Sequence, residues 1–255
     1  MQLVTLDVAI RLLPSRKEER MRRFILFISM LLISTVASAS ENSGFWKTEL
    51  EIGFVQTGGN TQTQTVNARG KAVGEDDEFR TTIEATALSA KDGKVTTTEK
   101  YSASIQEDWK LSELDYLFGR VGFDTDRFGG FKRRLRETLG YGRDLIKEET
   151  LHWKAEIGAG IRQTTFTTNQ KKNEAIGRAS TAIKWNINDA ATFTQELSTE
   201  GGKEGFVSNS VSALQQKLNS RLATKLSFSA QHTSKVPAGT KKLNTETAIT
   251  LVWSY

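Results

Sequence analysis

The sequence has no cysteine and only two prolines and two histidines among its 255 residues. Without cysteine it can form no disulfide, thiolate nucleophile or cysteine-ligated zinc site. Its mean hydropathy of −0.42 argues against helical membrane spans, but not against a transmembrane barrel, whose lumen-facing residues are polar. The net charge of +5 is spread through the chain and is not interleaved with stacking aromatics, so no nucleic acid is expected as a partner.

One long apolar run, residues 24–36, interrupts this polar composition. Arg22 and Arg23 precede the run and Ala37-Ser-Ala39 follows it, which is the arrangement of a cleaved secretory signal peptide. The run has thirteen residues, and an ordinary spanning helix needs about 20. The sequence therefore predicts export, with a retained membrane anchor as the alternative.

The signal peptide is predicted to span residues 21–39, because the signal starts naturally at Met21. Residues 1–20 are then interpreted as a spurious N-terminal extension, and residues 40–255 as the outer-membrane barrel. Cleavage after Ala39 leaves 255 − 39 = 216 residues for that domain.

From Phe45 onward, apolar and polar residues alternate with the period of two that is typical of strands. Turn sequences divide the region into twelve segments, and Lys91-Asp-Gly-Lys94 among them predicts a tight type I′ hairpin. At 216/12 = 18 residues per segment, each strand has the 9–11 or so residues needed to cross a bilayer. The segments are predicted at about residues 45–54, 62–73, 79–90, 95–109, 115–125, 131–145, 150–164, 174–187, 190–199, 206–218, 221–235 and 243–255.

The last segment, Leu243–Tyr255, ends the chain on an aromatic residue. One face of this extended segment carries Thr247, Ile249, Leu251, Trp253 and Tyr255. By itself the pattern fits the final strand of a soluble sandwich as well as a strand that closes a barrel onto its first strand. The even number of segments, none with a proline-blunted edge, favours the barrel.

Aromatic residues are predicted to gather at one rim of this barrel, where odd segments begin and even segments end. All five tryptophans lie at that rim, and a belt of this kind marks a membrane interface. The alternative is a chance coincidence of core tryptophans in a soluble sheet. The predicted interface aromatics are Trp46, Trp109, Trp153, Trp185, Trp253 and Tyr255, with Phe79, Tyr116, Tyr141 and Phe193 at the same rim.

Three stretches resemble a known family. They are Trp46–Thr61 (WKTELEIGFVQTGGNT), Gly140-Tyr-Gly-Arg143 and the terminal Trp-Ser-Tyr255. They resemble the salt-induced outer membrane proteins, the family of domain of unknown function 481, over essentially the whole mature chain. The resemblance implies an all-β, transmembrane antiparallel up-and-down β-barrel in a Gram-negative outer membrane. It implies no activity, no cofactor and no catalytic residues.

If the apolar face of each strand meets lipid, the other face lines the lumen. That face carries thirteen cations and seven carboxylates, an excess of 13 − 7 = +6, which predicts either cross-lumen ion pairs or a narrow pore that favours small anions. Glu107 and Glu137 fall on the lipid face instead. Glu107 lies near the rim, where a charge is tolerated, but Glu137 indicates a wrong phase or a bulge in the sixth segment. The candidate lumen residues are Lys47, Glu49, Glu51, Arg80, Glu84, Arg120, Arg134, Arg136, Lys154, Glu156, Arg162, Arg178, Lys184, Lys225 and Glu246, together with Arg69, Lys71, Lys100, Asp124 and Glu196.

An enzyme would need a nucleophile with a base, or a set of metal ligands. His152 and His232 are predicted at opposite rims, so they cannot share a site. A pairing of His232 with Ser208, Ser210 or Ser234, as in a surface hydrolase, is a remote alternative. We therefore predict no catalytic, metal or cofactor-binding residues.

The predicted function is a small passive pore or a stress-related envelope component, and a closed structural or binding barrel is the alternative. The expected location is the outer membrane. The expected partners are outer-membrane lipid and lipopolysaccharide, small anions, and the barrel-assembly machinery through the C-terminal strand.

Overall fold

A computed structural model describes residues 46–56, 63–236 and 241–255, so the predicted signal peptide lies outside the described residues. Twelve antiparallel strands form one closed barrel, in which each strand pairs with its neighbours in sequence and β1 pairs with β12. The predicted barrel and its strand number are confirmed, and no predicted boundary differs by more than three residues. The strands are β1 (Trp46–Gln56), β2 (Thr63–Glu75), β3 (Phe79–Asp92), β4 (Val95–Lys110), β5 (Asp115–Asp126), β6 (Phe131–Lys147), β7 (Leu151–Phe166), β8 (Lys171–Asn186), β9 (Ala191–Gly202), β10 (Gly205–Lys217), β11 (Leu222–Thr233) and β12 (Leu243–Ser254).

The barrel has two rims, which we name the terminal rim and the loop rim. β1 begins and β12 ends at the terminal rim, and the opposite ends of the strands form the loop rim. At the seam, the backbone N–H of Tyr255 donates to Thr48 O (3.0 Å) and that of Thr48 donates to Tyr255 O (2.9 Å). The last residue is therefore hydrogen-bonded into the sheet, as expected of a strand that closes a barrel.

The hairpin between β3 and β4 differs from the predicted type I′ turn. Its two central residues are Gly93 and Lys94, since Asp92 pairs with Val95. Gly93 adopts a positive φ of 56°, and neither Asp92 nor Lys94 does. A type I′ turn needs positive φ at both central residues, whereas type II′ needs it only at the first, where glycine is favoured. The pairing of β3 with β4 also shifts register between Ala90 and Lys91, which indicates a bulge beside the turn.

The phase predicted for the sixth strand is correct around Glu137, and the suspicion of an error there is wrong. β6 pairs with β5 without interruption from Arg134 to Arg143, and its irregularities lie nearer its two ends. Glu137 pairs with Val121 and Ile161, both of which are exposed on the outer face. Glu137 therefore does lie on the outside of the barrel, in an apolar surrounding.

The two faces of the sheet have opposite character. Large apolar side chains are exposed on the outside, for example Leu139 at 68% and Ile249 at 68%. Charged side chains such as Asp108, at 1% exposure, are buried inside. This inverted distribution suits a barrel surrounded by hydrocarbon. No helix in the described part of the chain is long and apolar enough to cross a membrane.

Candidate functional site

The candidate site is the lumen of the barrel. Strand pairing places every predicted lumen residue on the same face of the sheet, because paired residues point to the same side. Side chains on strands that are not neighbours also touch, as Gln106 of β4 and Glu156 of β7 do at 2.9 Å. Such contacts can form only through the interior, so this shared face is the inner one.

A first cluster lies inside the terminal-rim half, around the buried carboxylate of Glu156. It accepts hydrogen bonds from Arg178 (2.8 Å), Ser180 (3.0 Å), Gln106 (2.9 Å) and Tyr116 (3.1 Å). These partners come from β4, β5 and β8, so one carboxylate on β7 ties four strands together. Beside it, Arg80 of β3 and Asp108 of β4 form an ion pair at 2.7 Å and are largely buried.

A second cluster lies toward the loop rim, on the wall formed by β5 to β9. Glu200 of β9 lies 3.6 Å from Arg136 of β6 and 3.6 Å from Arg162 of β7. Arg136 also pairs with Asp124 (2.5 Å), and Arg162 pairs with Glu174 (2.6 Å). The arginines are therefore held in a continuous ion-pair chain along the wall.

Arg69 links opposite walls of the lumen. Its guanidinium lies 2.8 Å from Glu84 on the neighbouring β3 and 3.7 Å from Glu51 on β1. It also lies 4.0 Å from Glu196 on β9, which is five strand positions away around the barrel. Glu51 in turn pairs with Lys225 at 2.7 Å. Arg69 thus narrows the lumen at this level.

The inner face carries more acid than the sequence prediction counted. Five further carboxylates face inward and pair with predicted lumen cations. Added to the predicted set, they make 7 + 5 = 12 carboxylates against its thirteen cations and reduce the excess of that set from +6 to +1. The available signal was strand parity, since each of them lies an even number of residues from a predicted lumen residue. The five are Asp108, Asp126, Asp144, Glu174 and Glu200.

Two inner arginines are not matched by a carboxylate in the described residues. Arg120 donates to the neutral groups Gln106 Oε1 (3.2 Å) and Ser104 Oγ (2.9 Å). Arg134 packs over the ring of Phe131, with 4.0 Å between its Cζ and the ring centroid. Lys47, Lys71 and Lys184 likewise form no ion pair in the described residues, so five of the thirteen predicted lumen cations are left without a carboxylate partner.

The predicted interface aromatics lie at the terminal rim, with one difference. The five tryptophans lie within the last three residues of their strands at this rim and are 38–51% exposed on the outer face. Tyr116, which was placed in this belt, is instead 2% exposed and points inward to Glu156. Its neighbour Leu117 occupies the outer face, because adjacent residues of a strand alternate.

No serine in the described residues hydrogen-bonds to His232. Ser208 pairs with His232 in the register, but its hydroxyl bonds with that of Thr199 (2.9 Å). Ser234 Oγ accepts from the backbone of Phe206 (2.8 Å), whose ring packs against His232. His152 lies at the other rim, where β7 begins. The two histidines are thus on separate rims, and the Ser–His arrangement is not formed.

Comparison with known proteins gives a family and a fold. The sequence model of the family described as "Protein of unknown function, DUF481" matches residues 50–255, and this description names no activity and makes no mention of salt. An uncharacterized Escherichia coli protein, YdiY, is 29% identical over 188 residues, 74% of each chain.

Among solved structures, the NanC porin matches with a TM-score of 0.52 at 11% identity, over 81% of this chain and 98% of the porin. An outer membrane channel from Pseudomonas putida matches with a TM-score of 0.51 at 11% identity, over 83% of this chain and 96% of the channel. At such low identity the likeness concerns the fold, which is that of outer-membrane barrels.

Proposed function

Since the chain belongs to the family of unknown function DUF481, which supplies no activity, we propose from the lumen that the protein is a narrow passive channel of the outer membrane. Small ions and polar solutes would pass through it. The unmatched cations, Arg120 and Arg134 among them, give it a weak preference for anions, weaker than the sequence prediction of a +6 lining implies.

The observation that carries this proposal is the polar wall that runs from one rim toward the other. On β11 the inward residues are Gln231, Ser229, Ser227 and Lys225 in succession. A barrel of eight strands is filled by its own side chains, and one of sixteen strands is open. Twelve strands lie between these cases, so the lining decides whether water and solutes fit, and a polar lining favours them.

The test is electrical. Full-length protein, purified from membranes and inserted into planar bilayers, is expected to give small discrete conductance steps with a weak anion preference in a salt gradient. Arg69→Ala removes the bridge across the lumen and is expected to raise the conductance of a single channel about two-fold or more. Arg127→Ala is the matched control, because Arg127 pairs with Glu99 at the loop rim and is 68% exposed.

The second candidate is a closed barrel, and the cross-lumen contacts of Arg69 and Glu156 favour it. In that case the protein supports the envelope or binds a partner at its rims and conducts nothing. Silent bilayers, from protein whose insertion is verified by circular dichroism, would replace the channel proposal by this one. Conductance that Arg69→Ala and Arg127→Ala change equally would mean that Arg69 does not limit the pore.

A further inference from the structure

A cavity of about 410 Å³ lies in the loop-rim half of the barrel. It is enclosed by β2, β3 and β4 on one side and by β10, β11 and β12 on the other. Its volume falls within the range of about 300–1,000 Å³ that is typical of small-molecule sites. The cavity is therefore large enough to hold a small solute.

The space exists because the inner face of β10 to β12 is built from short side chains. Ala213, Ser227 and Ala248 are inward-facing partners in one row across these strands. The wall opposite carries long side chains that extend toward their ion-pair partners, as Arg69 and Arg136 do. The lumen is thus filled from one side and left open along β10 to β12.

The lining is mostly neutral but carries one carboxylate without a cation. Lys100 pairs with Asp126 at 3.1 Å, whereas Glu246 accepts a hydrogen bond from the neutral amide of Asn67 at 3.4 Å and has no ion-pair partner in the described residues. The other polar groups of the walls are amides and hydroxyls, among them those of Asn209, Gln231, Ser229, Asn244, Thr65 and Thr98. These groups donate and accept hydrogen bonds but do not favour either charge.

Below the cavity, the interior of the barrel is closely packed. Asn67 Oδ1 and Thr250 Oγ1 are buried there. Both residues lie against Gly53, where an added Cβ would overlap Asn67 Oδ1 and lie 2.9 Å from Thr250 Cγ2. Neither residue lines the cavity, so the floor of the cavity lies above them, at the level of Glu246.

An ion pair lies beneath these atoms, toward the terminal rim. Lys225, the register partner of Thr250, pairs with Glu51 at 2.7 Å, and each of the two is 8% exposed. Arg69 adds its charge to this pair at 3.7 Å from Glu51. A solute entering from the loop rim therefore meets the polar cavity first and a charged constriction after it.

We propose that this cavity is a binding site for a small molecule that is rich in hydroxyl or amide groups and carries no negative charge. Such a solute binds by hydrogen bonds to Asn209, Gln231 and Ser229, whereas an anion would lose its hydration beside the carboxylate of Glu246 without gaining an ion pair. The proposal names a class of solute for the proposed channel. That the solute passes through the barrel rests on the proposed channel function, whereas its binding in the cavity does not.

The probe is D-glucose, with gluconate and glucosamine as charged relatives of the same size. Binding to full-length protein in lipid nanodiscs is measured by saturation-transfer NMR. We expect saturable binding of glucose at millimolar concentration, binding of glucosamine that is at least as strong, and at least ten-fold weaker binding of gluconate. Gluconate binding equal to that of glucose, or glucose binding that does not saturate, would overturn the site.

Ser229→Trp fills the cavity and is expected to abolish glucose binding. Phe228→Trp is the matched control, because Phe228 is the adjacent residue on the outer face and is 48% exposed. If Ser229→Trp does not fold, the double variant Asn209→Ala with Gln231→Ala removes the hydrogen-bonded amide pair (2.9 Å) and is expected to weaken binding at least ten-fold. Unchanged binding in a folded variant contradicts the proposal.

Conductance measured on the same preparation separates this site from the channel. Glucose binding without conductance retains the site and overturns the channel. Conductance without glucose binding retains the channel and overturns the site.

Discussion

The ring of Tyr116 occupies the space that Gly142 leaves open on the inner face of the barrel. A Cβ at Gly142 would overlap the Tyr116 ring, and one at Gly140 would lie 2.6 Å from the ring of Phe118. The motif Gly140-Tyr-Gly-Arg143 therefore turns two glycines inward, where they accommodate two aromatic rings from β5. This packing holds the Tyr116 hydroxyl within reach of Glu156.

We expect Gly142→Ala to destabilise the barrel, because the added methyl group forces the Tyr116 ring away from Glu156. Overpacking of this kind costs about 1–3 kcal/mol. The free energy of unfolding is measured by urea titration in lipid vesicles with tryptophan fluorescence. Gly177→Ala on β8 is the control, since an added Cβ there meets nothing within 4 Å. Equal losses in the two variants would show that Tyr116 packing is not the cause.

Glu156→Gln tests the cluster in the terminal-rim half of the lumen. The substitution keeps the shape of the side chain but leaves the guanidinium of Arg178, now 2.8 Å from a neutral amide, without its carboxylate. Breaking a buried ion pair costs about 3–5 kcal/mol. The same urea titration measures this loss.

Glu204→Gln is the matched control for that substitution. Glu204 lies in the loop-rim turn, where its pair with Lys172 (2.9 Å) is exposed on both sides. Hydrogen bonding to Lys172 holds the pKa of Glu204 below its ordinary value, but solvent screens such a pair. We expect no measurable change in stability, and a loss comparable to that of Glu156→Gln would contradict the importance assigned to burial.

Asp76 should make the stability of the barrel depend on pH. The backbone amides of Phe79 and Glu78 donate to its carboxylate at 2.7 and 2.8 Å and hold its pKa below the ordinary value of 3.8. A carboxyl group whose pKa is lower in the folded than in the unfolded state stabilises the fold at pH values above its unfolded-state pKa. That contribution disappears as the pH falls through its folded-state pKa. Asp76→Ala is therefore expected to be less stable than the parent at pH 7, and this difference is expected to shrink as the pH falls below 3.8 toward pH 2.

The matching control is Asp77→Ala, in the same turn, because the Asp77 carboxylate accepts no hydrogen bond from the described residues. It should leave the free energy of unfolding unchanged at both pH values. If Asp76→Ala lost as much stability at pH 2 as at pH 7, its effect would come from the turn backbone and not from the ionised carboxylate.

The period-two pattern was sufficient to predict the strands and the face on which each residue lies, because a one-residue error would reverse every facing. Leu139 and Trp253 on the outside and Arg178 on the inside follow from parity alone. The side-chain partners could not be predicted in this way. Which carboxylate Arg69 meets across the lumen depends on the curvature of the barrel, and Glu196 is 127 residues away in the sequence.

The charge balance and the cavity were missed for different reasons. Asp108 and Glu200 share the parity of predicted lumen residues, so a stricter use of the pattern would have found them. The cavity depends on several short side chains, such as Ser227 and Ala248, that become neighbours only when β11 pairs with β12. No feature of a single segment indicates such a space.

Glu137 provides the last test, because it places a carboxylate among the lipid-facing residues Val121 and Ile161. No ion pair or hydrogen bond from the described residues reaches its side chain. A charge on the lipid face of a barrel costs up to about 2–4 kcal/mol for a basic residue and less for a carboxylate. We expect Glu137→Leu to raise the free energy of unfolding in vesicles by about 1–2 kcal/mol.

Glu107→Leu is the comparison for this prediction. Glu107 also lies on the outer face, but it accepts a hydrogen bond from Thr81 at 2.6 Å and lies two residues before Trp109, near the terminal rim. Its replacement removes a satisfied group near the interface, where a charge costs little, and should give no gain in stability. A loss of stability in Glu137→Leu would mean instead that the carboxylate has a partner in the membrane, and cross-linking from a cysteine placed at position 137 would then identify it.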